Sequence, residues 1–270
     1  MSSELLAILG VGNIGRAIAQ GLKASGRFQP ENIILTRRSL SHLEDLKEQG
    51  FQVQSDNLDA VRRANTIILA IRPLQYARLI EEIKPALDPS RHQLLSVVSG
   101  VSINESLSLL GQNFPFVRVM PNTAIAVRES MTCLAARPDS HEALEMAKSL
   151  FDTMGQTQII DEEFFTSATA LCACGAAFFL RAIRAASQGG IEIGFHAEEA
   201  LAMATQTARG AASLLIEASS HPEAEIDRIT TPRGCTIAGL NQMEHEGFSS
   251  AMIKGIVTSA KIAGSLYEEE

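Results

Sequence analysis

The sequence predicts an α/β protein, a doubly wound parallel sheet followed by an all-helical region. Three observations carry that prediction. Short apolar runs of β type alternate with amphipathic helical patterns up to about residue 160. Those runs are nearly continuous in Val, Ile and Leu, as in strands covered on both faces. Beyond Asp161 the β-type runs stop, and long Ala-rich stretches with wide apolar faces take over, with Pro222 and Pro232 their only prolines.

The elements follow in order. Residues 5–12, LLAILGVG, read as a first strand running into glycines. In 14–26, Ile14, Ala17, Ile18, Gly21 and Leu22 fall at helical spacing, and Gly26 ends the helix. NIILTRR (32–38) is the next strand and SHLEDLKEQG (41–50) the next helix, with Ser41 and Glu44 placed for a capping box. FQVQSD, NTIILAI, QLLSVVSG and FPFVRVM continue the strands, with helical segments such as PLQYARLIEEIKPAL between several of them. MTCLAAR and QTQIID frame the helix HEALEMAKSLFDTMG, in which His141 marks the start. The later stretches ATALCACGAAFFLRAIRAASQ and AEEALAMATQTARGAASLLIEA are helices of small side chains. The expected domains are 1–160 and 161–270.

Composition narrows the classes. The chain has 270 residues, 46% of them hydrophobic and 20% charged, which excludes disorder and low-complexity architecture. A net charge of −8 without a long basic run argues against a nucleic-acid partner. Four cysteines (Cys133, Cys172, Cys174, Cys235) are too few for a disulfide scaffold. Cys172 and Cys174, two apart on a helix, point to different sides. The N-terminus lacks a basic region before its apolar stretch, and no run of about 18 apolar residues suggests a membrane span. A cytoplasmic globular protein is expected. Six scattered histidines without HxxxH or HExxH give no metal site.

The sharpest local motif is Gly10-Val11-Gly12-Asn13-Ile14-Gly15, a GxGxxG between a strand and a helix. The first glycine permits the tight turn and the second lets backbone approach a pyrophosphate. The third allows close helix–strand packing, while the helix N-terminus offers free N–H groups to the anion. This is a dinucleotide-binding turn of Rossmann type; without Gly-Lys-Ser/Thr it is no P-loop. The second strand ends Thr36-Arg37-Arg38-Ser39, with no acid before Glu44 to hold a ribose hydroxyl. Two guanidinium groups, with hydroxyls from Thr36 and Ser39, suit a 2′-phosphate, so NADPH is preferred and NADH is the alternative. Three further strand ends carry turn residues: Ala70-Ile71-Arg72-Pro73, Ser99-Gly100 and Met120-Pro121-Asn122. Ligands of doubly wound sheets bind beyond such carboxyl ends. In the helical region, Thr231-Pro232-Arg233-Gly234-Cys235-Thr236 leads a loop into a helix N-terminus, a receptor for a small carboxylate.

Taken in order, GVGNIG, AIRP, SVVSGVS, RVMPNTA, TALCACGAAF and TPRGCTIAGLNQME resemble the Δ1-pyrroline-5-carboxylate reductases over essentially the whole chain. The resemblance implies hydride transfer from NAD(P)H to C5 of a cyclic imine, giving L-proline. It implies that Arg233, Gly234 and Cys235 hold the substrate carboxylate and that the Thr236 hydroxyl meets the ring nitrogen. Thr231 stands where the family has Ser, Arg233 where it has Gly, Cys235 where it has a small residue or Thr, and Arg72 where it has Lys. Cys172, Cys174 and Ala176 replace two Ser and a Pro of the mid-chain motif. The resemblance also implies a C-terminal all-α dimerisation domain and homodimers that assemble further, which suits a chain with no Trp, two Tyr and surplus apolar helix surface. The alternatives are another imine reductase, a β-hydroxyacid dehydrogenase and a non-enzymatic dinucleotide sensor. The hydroxyacid enzymes use a Lys base on the first long helix of the second domain, and no Lys lies between Asp161 and Lys254.

Overall fold

The computed structural model describes residues 5–265. It contains one sheet of eight strands: β1 Leu6–Leu9, β2 Ile33–Thr36, β3 Gln52–Gln54, β4 Thr66–Leu69, β5 Gln93–Ser96, β6 Phe116–Met120, β7 Ser130–Ala136 and β8 Gly155–Ile159. The helices between them are α1 Asn13–Ser25, α2 Glu44–Glu48, α3 Asn57–Arg63, α4 Tyr76–Ile83, α5 Ile103–Leu110 and α6 His141–Phe151. Strand order is β3-β2-β1-β4-β5-β6-β7-β8, so the order reverses beside β1 and places a switch point between β1 and β4. All pairings are parallel except β6–β7, where Met120 faces Cys133 across an antiparallel ladder. The expected doubly wound parallel sheet is present, with this one antiparallel pair added to it. The turn of Asn122–Glu129 is too short for a crossover helix, so the strand must return antiparallel.

Strand residues alternate between two apolar layers. Leu6, Ile8, Ile33, Leu35 and Val117 join one cluster with Ile18, Leu22 and Phe151. Ala7, Leu9, Ile34 and Phe116 join the other with Leu79, Ile80 and Ile83. The period of two along each strand feeds both faces, which is why the runs read as continuously apolar. Two local expectations fail. The 41–50 segment is a short 3₁₀ turn, Leu40–Leu43, followed by α2, and Ser41 pairs with Ser39 instead of capping Glu44. The reciprocal box forms instead at α5, between Ser102 and Glu105.

His92 is fully enclosed before β5. Its Nδ1 accepts from the Asp88 N–H at 2.8 Å, and its Nε2 lies 3.1 Å from the Val61 carbonyl, to which it donates. The contact at Nδ1 needs the neutral ring, since a protonated nitrogen cannot accept. Burial, then the Arg91 guanidinium, holds its pKa below 6.5, so the unfolded chain binds that proton more readily. This part of the stability is complete above pH 6.5 and is lost as pH falls through that value toward the folded pKa. A urea series between neutrality and about pH 5 should therefore show a shallower acid loss for His92→Gln than for the parent. Equal slopes would remove His92 as the source.

After β8 the structure is helical: α7 Phe165–Ala168, a π-turn over Thr169–Cys174, α8 Gly175–Glu192, α9 Ala197–Ala218, α10 Pro222–Ile229, α11 Cys235–His245 and α12 Phe248–Ser265. By compactness the chain divides into two units. One runs to Ala173 and takes in the segment from Ala260, and the other is Cys174–Ser259. In the second unit α8 and α9 form a hairpin on small residues. A Cβ on Gly190 would come within 3.0 Å of the Ala200 Cβ. Only Gly175, Ser187 and Ala200 are buried in these two helices. Phe179, Leu180, Ile193 and Ile216 are more than 60% exposed.

The helical run Glu162–Glu192 is long and apolar enough to cross a membrane by length and composition. That corrects the expectation that no segment reaches this threshold. Thr166, Ser167 and Thr169 interrupt the apolar run without charging it, and residues 164–180 hold no Asp, Glu, Lys or Arg.

Candidate functional site

The turn after β1 is built by backbone bonds to the neighbouring strand. The N–H groups of Gly10 and Val11 donate to the Thr36 carbonyl at 3.1 and 2.9 Å. The Gly10 N–H also meets the Thr36 hydroxyl at 3.3 Å, and that hydroxyl donates to Asn57 Oδ1 at 2.6 Å. Arg37 closes the other side by donating to the Val11 carbonyl at 2.9 Å.

Gly10 has φ +82°, and a Cβ there would fall 2.0 Å from the Ile71 side chain. At Gly15 a Cβ would press on Ala70 and Ile8, both at 3.3 Å. Around Gly12 the result is the opposite: a Cβ would meet nothing within 4 Å. Gly12 caps α1 without any side-chain bond, so the first N–H groups of that helix face open space. This cradle of bare backbone at the positive end of a helix fits a pyrophosphate.

The remaining residues expected at the dinucleotide lie along the same carboxyl edge. Arg37 and Arg38 follow β2, residues 10–15 follow β1, Ala70–Pro73 follow β4, Ser99 and Gly100 follow β5, and Met120–Asn122 end β6. These five strands are adjacent in the sheet, so the structure brings every one of these segments to one rim. Asn13, Arg38, Arg72, Ser99 and Gly100 are exposed there. Ala70, Met120 and Pro121 are buried. Arg38 makes no ion pair or hydrogen bond among the described residues.

Thr36 departs from its expected role. It is buried, and its hydroxyl is committed to Gly10 and Asn57 instead of facing a phosphate. Asn122 is a hub: its N–H donates to Ser130 Oγ, its Oδ1 accepts from the Ala124 N–H and its Nδ2 donates to the Cys172 carbonyl.

The sequence pattern did not single out Thr169 or Cys172 as neighbours of that rim. The Thr169 hydroxyl lies 2.8 Å from the Phe165 carbonyl and 2.7 Å from the Met120 sulfur. Thr169 and Cys172 both lie on the π-turn, an extra residue inside a helix that no residue periodicity announces.

In the helical unit, the loop before α11 is tight. The Gly234 N–H donates to the Thr231 carbonyl at 2.9 Å, and a Cβ on Gly234 would sit 2.5 Å from the Thr231 hydroxyl. Gly234, expected to offer its amide to a ligand, uses it to close the turn. The glycine is required because the turn leaves no room for a side chain. Arg233 adopts φ +60°, the left-handed conformation natural to glycine. Holding it there costs about 1 kcal/mol. The first intrahelical bond of α11 runs from Ala238 to Gly234. The N–H groups of Cys235, Thr236 and Ile237 therefore precede the helix ladder, with no side-chain cap over them. Thr231, Arg233 and Cys235 are exposed and Thr236 half-buried. These amides with the two threonine hydroxyls can receive a carboxylate and donate to a nearby base.

Fold and turn are those of a two-part NAD(P)-dependent oxidoreductase. Residues 5–100 match the family model described as NADP oxidoreductase coenzyme F420-dependent, and residues 162–266 match that of pyrroline-5-carboxylate reductase dimerisation. Pyrroline-5-carboxylate reductase 2 of Dictyostelium discoideum is 49% identical over 96% of this chain and 92% of that protein. Pyrroline-5-carboxylate reductase 1 of the same organism is 54% identical over 98% of this chain, which spans only 50% of that relative's length. A pyrroline-5-carboxylate reductase structure from Coxiella burnetii superposes with a TM-score of 0.85 at 26% identity, covering 98% of this chain and 99% of that one. The Plasmodium falciparum pyrroline carboxylate reductase, at 23% identity, shares the fold with a TM-score of 0.86 over 98% of each chain. This chain belongs to the pyrroline-5-carboxylate reductase family.

Proposed function

We propose that the protein reduces Δ1-pyrroline-5-carboxylate to L-proline, the last step of proline biosynthesis, with NADPH preferred and NADH as the alternative reductant. The observation that carries this reading is a single chain holding both a bare-backbone dinucleotide turn and an uncapped helix start behind Thr231–Thr236. When bound, the reduced nicotinamide supplies hydride to C5 of the imine.

In this reading Gly10, Gly12, Asn13, Ile14 and Gly15 seat the pyrophosphate, with Arg37 and Arg38 beside the 2′-phosphate. Ala70–Pro73, Ser99, Gly100 and Met120–Asn122 line the rest of the rim. The amides of Arg233 and Cys235 hold the substrate carboxylate, and the Arg233 guanidinium adds a charge-assisted bond. Gly234 shapes the loop. Thr236 donates its hydroxyl proton toward the ring nitrogen, which favours the protonated, more electrophilic imine. Residues 1–160 act as the dinucleotide-binding domain, and 161–270 as the substrate-binding and dimerisation domain of a cytoplasmic homodimer that assembles further. Neither nucleic acid nor membrane is part of this reading.

The direct test follows NADPH oxidation with Δ1-pyrroline-5-carboxylate against 3-hydroxyacids. Turnover of the imine alone is expected; no turnover by a protein that still binds NADPH would overturn the assignment. For the cofactor, Arg37→Asp with Arg38→Ala should weaken NADPH by about 10-fold or more, since each charge-assisted bond is worth about 1.5–3 kcal/mol, and should weaken NADH less, through the lost bond from Arg37 to the Val11 carbonyl alone. Unchanged NADPH affinity would show that neither guanidinium meets the 2′-phosphate.

A further inference from the structure

Two thiols outside the reaction described above meet beneath the carboxyl rim. Cys133 lies on β7, directly opposite Met120 in the antiparallel ladder, and is 4% exposed. Cys172 lies on the π-turn, half-buried against the same apolar cluster that contains Cys133. Both are free, and the two thiols are close enough for each to shift the other's titration. Each end of the pair is also tied to the segment that ends β6. Asn122 donates to the Cys172 carbonyl at 3.1 Å, and Thr169, on the same π-turn, reaches the Met120 sulfur at 2.7 Å.

We propose that Cys172 and Cys133 form a reversible disulfide in response to a hydroperoxide, and that this cross-link weakens dinucleotide binding at the adjoining Met120–Asn122 segment. The second clause rests on the assignment of that segment to the dinucleotide rim.

The roles of the two sulfurs differ. The neighbouring Cys133 lowers the Cys172 thiol from its ordinary value, while Cys172 together with burial pushes the Cys133 thiol up. Cys172, the more accessible of the two, is thus the attacking thiolate, and Cys133 the resolving thiol. The Cys172 thiolate attacks the terminal peroxide oxygen, the O–O bond breaks, and the alkoxide leaves as an alcohol after taking a proton. Cys172 is then a sulfenic acid. The Cys133 sulfur attacks it, loses its proton and expels hydroxide, which leaves as water. Two thiols and one hydroperoxide give one disulfide, one alcohol and one water. A dithiol restores both thiols by exchange.

A disulfide needs the two sulfurs at bonding distance, closer than two free thiols stand. Closing that gap draws the π-turn toward β7. Asn122, which spans the Cys172 carbonyl and the Ala124 N–H, must move with it.

The test treats the full-length protein with tert-butyl hydroperoxide, followed by non-reducing peptide mapping and NADPH titration. The expected result is loss of two thiols per chain, a linked Cys133–Cys172 peptide reversed by dithiothreitol, and an NADPH Kd raised about fivefold or more. By reciprocity, saturating NADPH should make the pair harder to oxidise in a redox-buffer titration by the same factor. Cys133→Ser should stop at a Cys172 sulfenic acid that dimedone traps. Oxidation confined to Cys174 or to the exposed Cys235, or no cross-link, would overturn the proposal. A full cross-link with unchanged NADPH affinity would overturn the coupling. If the reduced protein bound no NADPH while the cross-link still formed, the assignment of the rim would fail and the disulfide would stand.

Discussion

Gly12→Val is expected to weaken NADPH binding by about 100-fold or more while leaving the thermal midpoint of the unliganded protein almost unchanged. The two halves of that expectation have different causes. A side chain at position 12 meets no protein atom within 4 Å, and the backbone there, at φ −100°, is open to any L-residue. Folding has little reason to object. The same volume is the approach to the free N–H groups of α1, where each bond to an anion contributes about 1.5–3 kcal/mol. Filling it with an isopropyl group removes two such bonds. Gly10 makes the contrast, because its left-handed φ and the Ile71 side chain mean that Gly10→Val would damage the fold itself. A Gly12→Val protein that is correctly folded and binds NADPH normally would show that the cradle is not the pyrophosphate seat.

Thr236→Val should lower kcat about 100-fold with a much smaller change in KM, because the donor acts on a basicity that changes during reduction. Valine keeps the branched shape at the second position of α11 and removes only the hydroxyl. The carboxylate would still find the amides of the loop, so binding survives. A KM effect without a kcat effect would make Thr236 a binding residue only. Comparable kinetics for the two proteins would remove it from the mechanism. Thr236→Ser, keeping the hydroxyl, is the rescue that a purely structural role would not give.

Much of this was legible in the residues. The strands of the sheet are visible because each buries two faces, and GxGxxG is visible because its context, strand before and helix after, is local. The rim is legible for the same reason: strand ends are sequence events, and a parallel sheet collects them on one edge.

What escaped depends on partners distant in the chain. Thr36 looked available at a strand end, yet Gly10 and Asn57 claim its hydroxyl, one 26 residues before it and the other 21 after it. The capping box expected at Ser41 lost to a 3₁₀ turn, because Arg16 draws Asp45 and the His42 carbonyl toward α1. The antiparallel return of β7 leaves no trace in strand composition, since burial is identical for either direction. In the loop before α11, the departure of Arg233 from glycine was visible, but its outcome was not. The backbone keeps the left-handed path with an arginine in it, so the tight turn closed by Gly234 outweighs the local penalty.

The sparse interior of the α8–α9 hairpin has a consequence for how this protein survives dilution. Helices that bury little beyond Gly175, Ser187 and Ala200 gain little from packing against themselves. For such a chain, folding and association become one equilibrium, and persistence depends on how many copies share the solution. The melting temperature should rise with protein concentration, and a dilution jump should release unfolding rather than intact single chains. A newly made copy, before it meets another, would then be the most vulnerable form the molecule takes.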